Sequence, residues 1–163
     1  MIRRLALLIL LVAVIVSVPA PAARAALPPA NLAKALQQVD QLLDRALRNL
    51  TAADELVEKK QMAAKDQAVD RAMRLTREAE QKIQSALAMV RALGSTKPSK
   101  EQLAQIERLI GEARAQLREA ESAIDRAAQR TQNHKLLRGL VTGADHRIDD
   151  AVKMLRRIAA SLS

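Results

Sequence analysis

The chain has 163 residues, no Cys, Phe, Tyr or Trp, and 27 basic against 18 acidic side chains for a formal charge of +9. Without cysteine there is no disulfide and no thiol to carry a lipid. Without aromatic rings there are no stacking platforms for single-stranded nucleic acid, sugars or flat cofactors, and the core has to be aliphatic.

The first 25 residues read as a secretory signal peptide. Arg3 and Arg4 precede an apolar run from Leu5 to Val18, and Ala23-Arg24-Ala25 supplies the small-x-small step at which a leader is cut. The run is shorter than the roughly 17–25 apolar residues that span a bilayer, and Pro19 and Pro21 stop it. Cleavage after Ala25 removes three arginines and no acid. It leaves 138 residues with 24 basic and 18 acidic side chains, a net charge of +6. A periplasmic or secreted location without stable membrane insertion follows from that reading. Residues 26–30 form a short N-terminal extension, and 31–163 have the size of a single helical domain.

From Asn31 onward, glycine and proline are scarce and Ala, Leu, Gln, Glu, Lys and Arg dominate, all good helix formers. Leu32, Leu36, Val39, Leu43, Ala46, Leu50, Ala53 and Val57 step by four and three, predicting a first helix over 31–60 with a core-facing stripe. Leu42, Leu47 and Leu56 widen that stripe beyond the needs of a two-stranded coil. The polar interval 58–67 breaks the register and marks a turn, with Thr51-Ala-Ala-Asp54 as a rival break. The second helix, 66–93, carries Ala72, Thr76, Ala79, Ile83, Ala86, Val90 and Leu93.

Leu93-Gly94-Ser-Thr-Lys-Pro98-Ser99 combines a glycine stop with a serine N-cap and Gln102 three residues on, so the next turn has a mechanism. A third helix over 99–131 presents Leu103, Ile106, Ile110, Ala113, Leu117, Ala120, Ile124 and Ala127. Its register shifts at Thr131-Gln-Asn133, which predicts the last turn. The fourth helix, 134–162, presents Leu137, Val141, Ala144, Ile148, Ala151, Leu155, Ile158 and Leu162, with a rival start at Thr142. Four helices of about 42–50 Å match in length, as an all-α antiparallel four-helix bundle requires. A long helical hairpin or a three-helix coiled-coil-like bundle is the alternative.

Chemistry-bearing patterns are sparse. Asp44/Arg48, Glu55/Lys59, Asp70/Arg74, Glu78/Lys82 and Asp149/Lys153 are pairs spaced to stabilise helices. Of the two histidines, His146 has Asp150 on the same outer face, but two ligands do not make a metal site. Gly139 and Gly143 have the spacing of a close helix contact. Lys59, Lys60 and Lys65, then Arg71, Arg74 and Arg77, then Lys153, Arg156 and Arg157 form basic clusters, each interrupted by acids. No phosphate-cradling loop, nucleophile elbow or carboxylate pair is present. The sequence therefore names no catalytic, cofactor-binding or metal residue and predicts an exported, non-enzymatic bundle that binds a protein or anionic component of the cell envelope, not nucleic acid. A polyanion or membrane-surface binder and a self-assembling scaffold are the other readings.

Overall fold

A computed structural model describes residues 29–60, 66–94, 96–127 and 131–162. The segment 1–25 read as a leader and most of the polar interval after the first helix lie outside the described residues. Four helices follow one another: α1 Pro29–Lys60, α2 Gln67–Leu93, α3 Lys100–Asp125 and α4 Gln132–Ser161. Each helix packs against the next, and α4 returns to α1, closing an antiparallel four-helix bundle.

The heptad positions explain the core. Val39, Leu43, Leu50, Ile83, Ile106, Ile110, Leu117, Leu137, Ile148 and Ile158 are fully buried, and only Val57 and Leu162 among the expected seam residues are half-buried. Within each stripe alanines alternate with larger aliphatics. Ala46 and Ala53 on α1, Ala144 and Ala151 on α4, Ala72, Ala79 and Ala86 on α2, and Ala113 and Ala120 on α3 are all buried. The α1–α4 and α2–α3 seams are the two most closely packed, and small side chains let backbones approach in this way.

The helix ends follow the local chemistry, with two differences from expectation. The helix begins at Pro29 rather than residue 31, since a proline has φ preset for a first helical position and lacks only an N–H that would be orphaned there. As the preferred breaks require, the rival break at Thr51 does not occur and α4 runs uninterrupted through the rival start at Thr142. The α3–α4 turn comes earlier than the predicted Thr131–Asn133. α3 ends at Asp125, where the Arg126 N–H bonds back to Ala123 and Ile124, and Thr131 is the N-cap of α4 rather than part of the turn. The glycine stop and serine start between α2 and α3 are as expected. Gly94 takes φ +52°, and Ser99 and Gln102 form the reciprocal capping box.

Candidate functional site

Three of the four seams are laced by ion pairs. Across α1–α2, Asp54 meets Arg77 at 2.9 Å and Asp40 meets Arg91 at 2.7 Å. Across α2–α3, Lys82 meets Glu112 at 2.7 Å, Arg71 pairs with Glu119, and Gln116 donates to Glu78 at 2.8 Å. Across α3–α4, Arg114 bridges Asp145 at 3.2 Å and also pairs with Asp149, Arg138 meets Asp125 at 3.2 Å, and Arg156 meets Glu107 at 2.6 Å. Hydrogen bonding to Lys82 holds the Glu112 carboxyl below its usual range. Lys153 foremost, and Arg114 more weakly, do the same for Asp149.

The fourth seam is different. Among the described residues no ion pair joins α1 to α4. Its polar link is Asn49, whose side-chain amide donates to the Leu140 carbonyl at 3.3 Å. Gly143 makes room for that amide: a Cβ there would lie 2.5 Å from Asn49 Nδ2. The cause of the missing ion pairs is the distribution of charge around the two helices. On α1 the acids Asp40, Asp44 and Asp54 lie on the α2 flank, whereas Lys34 and Arg45 lie on the α4 flank. On α4 the acids Asp145 and Asp149 lie on the α3 flank, whereas Arg147 and Arg157 lie on the α1 flank together with Asp150, which is paired with Lys153. The contact of Asn49 with Gly143 sets the antiparallel register. One turn on, Arg45 comes level with Arg147, and about three turns beyond that Lys34 comes level with Arg157. Base faces base, and among the described residues none of the four is in an ion pair.

In the other direction along the same seam the surface becomes apolar. Ala52, Leu56, Leu136 and Leu140 form the floor of an open groove of about 310 Å³, with the Glu55–Lys59 pair at its edge. Leu136 is 49% exposed, the one large apolar side chain among the described residues that is fully at the surface. Leu56 and Leu140 are half-buried beside it.

The corner where α2 and α4 begin holds the other unusual side chain. His134 is buried, and its Nδ1 accepts from the Thr131 backbone N–H at 3.3 Å, completing the α4 capping box. With Nδ1 accepting, the neighbours assign the ring proton to Nε2, which has no hydrogen-bond partner and lies 3.9 Å from Asp66 Oδ2. Asp66 is itself the N-cap of α2, so the contact ties two helix starts together. Among the described residues no three acidic or histidine side chains converge to hold a metal ion.

The residues singled out in the sequence are scattered by the fold. His146 and Asp150 are exposed, and Asp150 pairs with Lys153 at 3.2 Å. The arginine cluster on α2 is divided, with Arg71 facing α3 and Arg77 facing α1. Of the small pair, Gly143 is a packing contact and Gly139 faces open space. Lys34, Arg45 and Arg147 were not gathered by reading runs of basic residues, because they are isolated in sequence, and Arg157 was grouped with Lys153 and Arg156 instead. A charge-resolved helical wheel, separating the flanks of α1 and α4, carries the signal. No family model matches the chain, and neither a curated protein nor a solved structure is significantly similar to it. Among the described residues no helix is long and apolar enough to cross a membrane.

Proposed function

We propose that this protein is an exported, non-enzymatic helical bundle that binds a macromolecular partner of the cell envelope through its α1–α4 seam. The supporting observation is the groove between Leu56, Leu136 and Leu140. It is concave and apolar, and it lies on the seam where no ion pair covers the surface. The other three seams are crossed by interhelical ion pairs. Export rests on the leader: two arginines, an apolar run and Ala23-Arg24-Ala25.

The test is affinity capture from an envelope fraction with the wild-type protein and with Leu136→Glu, which alters an exposed position and leaves the core alone. A partner recovered by the wild type and lost in the variant is expected. Equal recovery by both sinks the seam as the binding face, and no recovery by either sinks the binding reading. For export, the mature chain is expected to begin at Ala26 by N-terminal sequencing, and a purified protein still carrying residues 1–25 contradicts it.

The unpaired bases Lys34, Arg45, Arg147 and Arg157 favour a second reading, a binder of polyanions or anionic membrane surfaces. It predicts cosedimentation with anionic vesicles that weakens as salt shortens the Debye length to about 10 Å at 0.1 M. The self-assembling scaffold needed an apolar face left open along whole helices, whereas these four helices bury their heptad stripes in one core.

A further inference from the structure

Resting on the binding reading above, we infer the chemistry of the partner: the α1–α4 seam receives an amphipathic helix whose apolar ridge is flanked by acidic side chains. Shape comes first. Two antiparallel helices leave a furrow between them, and a third helix presents the convex ridge that fills it, whereas a flat lipid surface does not. The floor made by Ala52, Leu56, Leu136 and Leu140 spans about one helical turn on each side, enough for one or two leucine-sized anchors.

Charge supplies orientation. From Leu56 to Arg45 is eleven residues along α1, about 16 Å, and from Leu56 to Lys34 about 33 Å. A helix lying along the furrow with its leucines over the groove therefore carries its flanks past Arg45 and Arg147, then past Lys34 and Arg157. Acids on both flanks meet a base on either side. In the free protein the acid on this flank, Asp150, is paired with Lys153, so the four bases have no acidic partner and an acidic helix supplies one. A second copy of this chain does not fit. A two-fold contact centred on Arg45 and Arg147 would set base against base, and one centred on the groove would bring up no acidic stripe to meet them.

The test uses the purified protein and a synthetic peptide of about 22 residues, with leucines at i, i+3, i+4 and i+7 in one half and glutamates flanking the ridge. A control peptide has every glutamate replaced by lysine, and binding is followed by titration calorimetry. Saturable binding of the glutamate peptide that weakens with salt is expected, with no binding of the lysine peptide. The double variant Arg45→Glu/Arg147→Glu is expected to weaken the glutamate peptide at least tenfold, and Leu136→Ser to weaken it severalfold, both with unchanged helical circular dichroism. Equal affinity for the two peptides, or unchanged affinity in the double variant, overturns the inference. So does absence of peptide binding when anionic vesicles are bound. If the envelope capture above yields a Leu136-dependent partner while the glutamate peptide fails to bind, the partner chemistry is wrong and the binding reading stands.

Discussion

The α2–α3 and α1–α4 seams are built on the same backbone plan and differ at the surface. Both carry a ladder of buried alanines, Ala72, Ala79 and Ala86 with Ala113 and Ala120 on the helices of one, Ala46 and Ala53 with Ala144 and Ala151 on those of the other, and both bring their helices close. Over the first ladder, Arg71, Lys82 and Glu78 of α2 face Glu119, Glu112 and Gln116 of α3. Over the second, base faces base and leucine lies open to solvent. Close packing is therefore separable from surface closure. The core positions make the bundle, and the flanking positions decide which of its faces is finished.

The largest effects should come from the shared core rather than from either surface. Leu117 is fully buried, and Leu117→Ala is expected to cost about 2–5 kcal/mol by chemical denaturation, whereas Leu136→Ala on the open seam should change stability by no more than about 0.5 kcal/mol. A comparable cost at both sites would mean that Leu136 is a core residue and that the seam is closed. Glycine offers a finer comparison. Gly111 on α3 has open space around its Cα, so Gly111→Ala should stabilise by about 0.8–1.0 kcal/mol. The same gain at Gly143 is offset by displacing the Asn49 amide from the Leu140 carbonyl, a bond worth about 0.5–1.5 kcal/mol, so Gly143→Ala should come out near neutral. Equal gains at the two glycines would show that Asn49 does not tie α1 to α4.

Acid should loosen the charged seams first. The carboxyls of Glu112 and Asp149 are held below their ordinary range, so their contribution is present above the unfolded-state value and is lost as pH falls through the lower folded-state value. That window lies below about pH 4. Hydrogen exchange, corrected for intrinsic rates, should show α3 amides losing protection on acidification before those lining α1–α4. The reverse order contradicts the assignment of ion pairs to three seams.

Much of this architecture was legible in the residues alone. Four-three spacing of aliphatics is dictated by the helical period, so Leu103 through Ala127 and Leu137 through Ile158 could be placed in the core without knowing their neighbours. The Gly94 stop and Ser99 start were readable because each satisfies a specific orphaned backbone group. The α3–α4 turn was displaced because a heptad that continues through Ala127 does not report that the backbone has already stopped at Asp125. The candidate site was hidden for another reason. Runs such as Arg71, Arg74 and Arg77 draw attention in sequence, yet the fold assigns Arg71 and Arg77 to different seams. Arg45 and Arg147 sit 102 positions apart and acquire meaning only once α1 and α4 are antiparallel neighbours in a fixed register. His134 acquires its role only once the α4 start is moved to Gln132, which makes it the third helical residue and the capping-box partner of Thr131.

The claim that two like seams differ in charge is tested most directly by reversing one arginine in each and measuring thermal stability at low salt. Arg71→Glu sets like charge against Glu119 and should lower the midpoint. Arg45→Glu gives Arg147 an opposite charge and should raise it, each by the few tenths to about 1 kcal/mol typical of exposed pairs. The gain from Arg45→Glu should disappear in an Arg147→Ala background. Opposite signs, with that dependence, support the account; a loss of stability in both variants, or a gain at position 45 that ignores residue 147, contradicts it.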